Sequence, residues 1–507
     1  MPEEKATAKP AEVKVIKQTS EVQETTSTPR PAEDNLVETK HSVTIAGRQV
    51  KYTALAGTMI LREEAEDREK AFEGEAARAQ IFFVAYTKDD VQDKSNRPIT
   101  FCFNGGPGSS SVWLHLGLLG PRRVVLQDTG DLPPPPFRLA DNEYSLLDET
   151  DLVLIDPVST GYSRPVEGQK PREWHAFKKD IASVGDFIRL YTTRHNRWLS
   201  PKFLIGESYG TTRAAGLAGY LQERHGMYFN GIMLISAALD FATIDFHPNN
   251  DLPYILFLPG YAAAAWYHHK LRTRKPLRAL LREVEAFAAG EYAAALLKGD
   301  TLSRPQRAQI VDRLSRYTGL AAEFIERSNL RINDQHYFKE LLRDRDQTVG
   351  RLDSRFTGRD RLGVTEHPEY DPLLTTVAGP YTAALYDYIR SELNFQADRS
   401  YEIMTEFVLP WSYSEFEGKF VYVGETLRAA MTRNPHLKVF VASGLFDLGT
   451  PYSATDYTIN HMGLHETLRK NIRTGYYEAG HMMYIHLPSL AEIKRDLAAF
   501  IRASVPQ

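Results

Sequence analysis

From His41 onward the chain runs in short apolar stretches punctuated by polar or Gly-containing breaks. Residues 41–55 alternate apolar and polar positions around Gly47-Arg48, the pattern of a hairpin. Further apolar runs at 81–86, 99–103, 152–155, 203–205, 232–235, 439–442 and 473–477 read as strands. Several of these are continuously apolar instead of alternating, as strands covered on both faces are. Helical patterning fills the intervals, most clearly at 177–194 and 211–224. The elements therefore predict an α/β fold: a mostly parallel central sheet with helices on both faces.

The strand signal lapses between 241 and 399. There Leu277, Leu280, Leu281, Val284, Phe287 and Ala288 recur at helical spacing, as do Ile310, Leu314 and Tyr317. A helical block inserted into such a sheet commonly lies over the carboxyl ends of the strands, so it reads as a cap. Residues 1–40 contain no aromatic side chain and are rich in Glu, Lys, Thr and Pro, the composition of a disordered tail. The expected organisation is a tail over 1–40, core over 41–240, helical cap over 241–399 and the rest of the core over 400–507.

Composition narrows the function classes. With 42% hydrophobic and 25% charged residues the 507-residue chain looks like an ordinary soluble globular protein. A net charge of -4 gives no overall attraction for nucleic acid. The greasiest stretch, 255–267, is interrupted by Pro259 and Gly260 and is too short to cross a bilayer, so no membrane partner is expected. The single cysteine, Cys102, cannot form an intramolecular disulfide, and no apolar leader precedes the tail. The chain as written is expected to be cytoplasmic, or periplasmic or secreted if it is a trimmed mature form.

Three segments carry chemistry. The strand at 203–205 runs into Gly206-Glu207-Ser208-Tyr209-Gly210, and a helix follows. This is a G-x-S-x-G elbow in strand–turn–helix context, which lifts a nucleophilic Ser208 above the sheet edge. Asn104-Gly105-Gly106-Pro107-Gly108 directly follows the strand at 99–103. Its glycines let backbone N–H groups approach a ligand, so Gly106 and Tyr209 N–H are the expected oxyanion hole. Walker spacing and GxGxxG are both missing, which excludes a phosphate loop. A serine needs a base and the base an orienting acid, in the order Ser, acid, His for this topology. Asp447 ends the strand at 439–442, and His481 follows the last strand, with His486 as a second candidate.

These segments, with Asp156-Pro-Val-Ser-Thr-Gly-Tyr-Ser163, Ser443-Gly-Leu-Phe-Asp-Leu-Gly-Thr-Pro451 and Gly480-His-Met-Met-Tyr-Ile-His-Leu-Pro488, resemble the signature segments of the serine carboxypeptidases. The resemblance is to a bacterial-type member lacking disulfides, and it implies the α/β-hydrolase fold and removal of the last residue of a peptide. It assigns the triad to Ser208, Asp447 and His481, and recognition of the substrate's terminal carboxylate to Asn104, Gly105 and Glu207. Two facing carboxyl groups must share a proton, which implies a preference for acidic pH. Three positions depart from the family pattern: Leu118 replaces a glutamate after the Gly-rich loop, Ser109 a cysteine, and Leu445 an acid.

The chemistry expected is acyl-enzyme hydrolysis of peptides with a free C-terminus. It needs no metal or organic cofactor, and the adjacent His268-His269, expected to face apart on a helix, make no metal pair. Another serine hydrolase or an esterase-like acyltransferase on the same scaffold is the competing reading, and a non-catalytic binding protein a third.

Overall fold

Alternation decides which side of the sheet each strand residue serves. The computed structural model describes residues 32–64 and 74–505. Its main sheet is built from β1 (Asn35–Ile45), β2 (Arg48–Glu64), β3 (Glu75–Lys88), β4 (Ile99–Phe103), β5 (Asp151–Ile155), β6 (Lys202–Ser208), β7 (Gly231–Ala237), β8 (Lys438–Gly444) and β9 (Ile472–Tyr477). In space the order is β1-β2-β3-β5-β4-β6-β7-β8-β9, with a two-residue strand, Arg164–Pro165, beside β3. The six strands from β5 to β9 are mutually parallel, and β1 to β3 extend the sheet as antiparallel strands.

Leu204, Ile232, Leu234, Val439 and Val441 point to one face, where α1 (Phe177–Arg194) and α2 (Tyr209–His225) bury Ile181, Val184, Phe187, Leu217 and Leu221. Phe203, Ile205, Met233, Ile235 and Phe440 point to the other, against Ile493, Leu497 and Ile501 of the C-terminal helix Leu487–Ser504. Each such side chain contributes roughly 1.5–3 kcal/mol on burial. Both faces being covered explains why these strands read as unbroken apolar runs.

The helices Leu252–Tyr267, Leu277–Phe287, Arg304–Thr318 and Asp334–Glu340 form a third core. It closes on Leu445, Phe446, Leu448 and Tyr452, just beyond the carboxyl end of β8. The apolar stretch at 255–267 is the buried helix of this core, with Pro259 inside it. The helix Pro372–Asp387 belongs elsewhere: Leu373, Val377, Tyr381 and Leu385 join the core on the C-terminal-helix face of the sheet. The stretch that patterning treats as one block thus divides between two cores.

Two sequence expectations shift. Of the tail expected over 1–40, residues 1–31 lie outside the described residues, whereas Asn35 to Lys40 pair with β2. A long hairpin partner supplies the hydrogen bonds that a composition count does not register. The hairpin turn is Ala46-Gly47, not Gly47-Arg48: these two residues hold φ of 47° and 76°, and Arg48 pairs with Ile45. A two-residue turn of this kind needs positive φ at both centres, which Gly47 supplies without cost.

Candidate active site

The carboxyl ends of β4, β6, β8 and β9 deliver the four chemistry-bearing segments to one edge of the sheet. Ser208 is the last residue of β6 and precedes the first turn of α2. Its φ of 59° and ψ of -130° are strained for a residue with a side chain, a conformation that persists only where the surroundings enforce it. The glycines of the elbow enforce it. A Cβ at Gly206 would run into the Gly210 carbonyl, and one at Gly210 would sit 2.8 Å from the Phe103 carbonyl oxygen.

The Gly-rich segment leans directly on this elbow: a Cβ at Gly105 would lie 2.5 Å from Tyr209 N. Backbone of the loop and backbone at the head of α2 therefore abut, which places Gly106 and the Tyr209 N–H beside Ser208. The loop is tied down elsewhere. Ser111 donates from its backbone N–H (2.8 Å) and hydroxyl (2.9 Å) to Asp156 Oδ1. Burial pushes the Asp156 pKa up to about 6. The segment Asp156–Ser163 thus works as a clamp on the loop. From the far side, Ser110 N donates to Ile403 O at 2.9 Å and Thr405 N to Gly108 O at 3.0 Å.

His481 and Asp447 are brought together. Nδ1 of His481 lies 2.8 Å from Asp447 Oδ2, and both side chains are buried. The carboxylate also accepts from Gly449 N at 2.8 Å, Thr450 N at 3.0 Å and Thr450 Oγ1 at 2.8 Å. Burial would raise its pKa, but the neighbouring imidazole and these donors outweigh burial and hold it below the usual carboxylate range. For His481 burial lowers the pKa and Asp447 raises it, with a net rise. With Nδ1 engaged by the carboxylate, Nε2 is left as the proton acceptor. Ser208 and His481 line the same cavity of about 310 Å³, and no hydrogen bond joins them among the described residues. Catalytic hydrogen bonds commonly tighten only when substrate is bound.

Asn104, Gly105, Gly106, Glu207, Trp113, Arg351, Met404, Glu406 and Leu409 complete most of that lining. Asn104 Oδ1 accepts from Leu114 N at 3.0 Å, which leaves its amide N–H groups to donate. Glu207 is buried, burial pushes its pKa up to about 7, and its Oε2 has no hydrogen-bond partner among the described residues. Leu118, where a second acid was sought, is fully buried in the core. Leu445 is likewise a core residue, and Ser109 Oγ accepts from Trp113 Nε1 at 3.0 Å.

The other histidines have separate duties. His486 Nδ1 bonds Ser489 Oγ at 2.8 Å at the start of the C-terminal helix. His268 and His269 follow the end of their helix instead of lying on it, because the chain turns at His269 (φ 56°), and His268 Nε2 bonds Ser354 O at 2.7 Å. On the exterior, His336, Glu366 and His367 bring donor atoms within 4.8 Å of one another, a cluster that sequence spacing does not announce.

Two supports also escaped sequence reasoning. Asp180 and Arg213 form a fully buried ion pair of 2.8 Å between α1 and α2. Arg213 Nη1 donates to Asn104 O, and Tyr209 Oη donates to Asp180 Oδ2 at 3.3 Å. One network thus holds both the elbow and the Gly-rich loop. The available signal was a charge in the apolar run of α2, five residues after Ser208. The second support is the segment 351–353. Leu448 N donates to Arg351 O (2.9 Å), His481 N to Leu352 O (2.7 Å) and Gly480 N to Asp353 Oδ2 (2.9 Å).

The chain resembles known proteins in sequence and in fold. The family model for serine carboxypeptidases covers residues 72–483. The pheromone-processing carboxypeptidase KEX1 of Saccharomyces cerevisiae is 32% identical over 163 residues, 30% of this chain and 20% of that protein. Serine carboxypeptidase-like 33 of Arabidopsis thaliana is 30% identical over 138 residues, 26% of this chain and 27% of that one. The matched regions span a fifth to about a quarter of these relatives' lengths. The crystal structure of Kex1(delta)p, a prohormone-processing carboxypeptidase from S. cerevisiae, superimposes with a TM-score of 0.55 at 17% identity, covering 90% of this chain and 92% of that one. The sheet order is that of an α/β-hydrolase fold, and the chain belongs to the serine carboxypeptidase family.

Proposed function

We propose that the protein is a serine-type carboxypeptidase that releases C-terminal residues from peptides through an acyl-enzyme on Ser208. The observation that carries this reading is His481, bonded to buried Asp447 and lining one cavity with Ser208, Asn104, Gly105 and Glu207. His481 Nε2 takes the Ser208 proton as Oγ attacks the scissile carbonyl, while Asp447 stabilises the imidazolium. The N–H groups of Gly106 and Tyr209 hold the oxyanion. His481 then protonates the departing amino acid, and water activated by the same nitrogen releases the shortened peptide. Asn104, Gly105 and neutral Glu207 donate hydrogen bonds to the substrate's terminal carboxylate.

The helical core over β8 serves as the cap, and the partner is a peptide with a free C-terminus. Among the described residues no helix is long and apolar enough to cross a membrane. The lone buried Cys102 suits a reducing, cytoplasmic setting. Incubation with a mixed peptide library and mass readout of the products tests the reading. Stepwise loss of single C-terminal residues is expected; internal cleavage or cleavage of esters alone would replace it with the broader hydrolase or acyltransferase reading. Ser208→Ala is expected to lower turnover by roughly a millionfold and to abolish labelling by an organophosphonate.

A further inference from the structure

The cavity lining carries one basic and one further acidic side chain outside the triad and the Glu207 corner: Arg351 and Glu406. Both are exposed, and neither makes an ion pair or a side-chain hydrogen bond among the described residues. Arg351 is nonetheless held firmly by its backbone. Its N–H and that of Leu352 donate to Asp371 Oδ2 at 3.1 and 3.0 Å, and its carbonyl accepts from Leu448 N. The side chain has room because residue 449 is glycine: a Cβ there would lie 3.0 Å from Arg351 Nη1. The guanidinium is close enough to His481 for its charge to bear on the imidazole.

A guanidinium carried by an anchored backbone at the rim of a reaction cavity, with its donors unused among the described residues, matches a carboxylate in charge and geometry. The Asn104–Glu207 corner offers only hydrogen bonds and no positive charge, and Leu118 removes the second acid that would share a proton there. We propose that Arg351 is a specificity-determining residue that pairs with a carboxylate of the peptide substrate, an inference that rests on the carboxypeptidase reading. That carboxylate is either the substrate's C-terminus or an Asp or Glu side chain in its last two residues.

The test compares wild type with Arg351→Gln, Arg351→Lys and Glu406→Gln on four substrates: N-blocked Ala-Leu acid, Glu-Leu acid and Ala-Glu acid, and an N-blocked alanine ethyl ester. The readout is the ratio of kcat/KM on each acid to that on the ester. Arg351→Gln is expected to lower this ratio roughly 10- to 100-fold, the worth of one charge-assisted pair, with Lys recovering part of it. An equal fall on all three acids assigns the terminal carboxylate; a fall confined to the Glu-containing peptides assigns the side chain. An unchanged ratio overturns the proposal, as does the same fall in Glu406→Gln, which would mean that the two residues serve each other. Calorimetric binding of N-blocked Ala-Leu acid, Glu-Leu acid and Ala-Leu amide to Ser208→Ala, with and without Arg351→Gln, reads the pairing without turnover. If wild type hydrolyses the ester but no peptide, the carboxypeptidase reading falls, and the binding comparison still decides Arg351: affinity for both acids that is indifferent to the Gln change refutes it.

Discussion

Glu207→Gln is the most informative single change at this site. The Glu207 carboxyl is buried, its Oε2 has no partner among the described residues, and burial raises its pKa from an ordinary 4.5 to about 7. Between those two values the folded protein binds a proton that the unfolded chain does not, so stability falls as pH rises through the interval. A shift of this size corresponds to on the order of 3 kcal/mol, present in full below pH 4.5 and lost above the folded value. Glutamine is neutral at every pH and keeps an N–H donor, so it imitates the protonated acid. The variant is expected to match wild type in stability near pH 4 and to exceed it by up to about 3 kcal/mol at pH 8, read by denaturant unfolding.

Activity supplies the matching measurement. Ionised Glu207 repels a terminal carboxylate, so wild-type KM for an N-blocked dipeptide should climb as pH passes about 7. In Glu207→Gln that climb should vanish. His481 bounds the window on the acid side: its raised pKa keeps it protonated, and unable to act as base, further up the pH scale than an ordinary histidine. The acidic limb of kcat should therefore persist in the variant. An alkaline rise in KM that survives Glu207→Gln unchanged would refute the assignment of that limb to Glu207.

Three further outcomes follow from the geometry. Asp447→Asn should lower kcat about 10⁴-fold with little loss of fold, because the amide oxygen can still accept from Gly449 N and Thr450 N while its NH2 faces His481 Nδ1 and imposes the wrong tautomer; stopped-time assays against an intact unfolding curve check it. Gly105→Ala puts a methyl 2.5 Å from Tyr209 N and should cut kcat and weaken calorimetric binding of a product acid together, because the loop that shifts carries both the oxyanion donor and a carboxylate donor. Arg213→Met strands Asp180 as a buried unpaired charge and should cost about 3–5 kcal/mol in denaturant unfolding, with Asp180→Asn in the same chain restoring part of it.

Much of this was legible in the sequence because its signals are local. Strands β4 to β8 contain apolar runs because both faces of the sheet are covered, and the elbow and Gly-rich turn are short motifs recognisable from a few consecutive residues. Asp447 and His481 were found by chain order alone. What stayed hidden is contact between distant segments. Nothing near Arg351 announces that its neighbours bond both the acid loop and the histidine loop, and nothing near Asp180 announces Arg213, 33 residues on. The strand hidden at the end of the tail belongs to the same class: Asn35–Lys40 is polar and becomes ordered by pairing with β2.

These long-range contacts explain why a helical insertion between β7 and β8 is compatible with a precise site. Ser208 is fixed by the core itself, through the elbow and the Asp180–Arg213 network. The His481–Asp447 pair is fixed partly from the inserted segment, since 351–353 accepts bonds from Leu448, Gly480 and His481. Asp353 also pairs with Arg355 and is buried, so the segment brings its own charge balance to the place it supports. The insertion thus helps to hold the His481–Asp447 pair as well as forming a wall of the cavity. Variation in the cap can then alter which peptide enters while the same short segment keeps His481 against Asp447. Arg351, at the head of that segment and facing the cavity, is where these two roles meet.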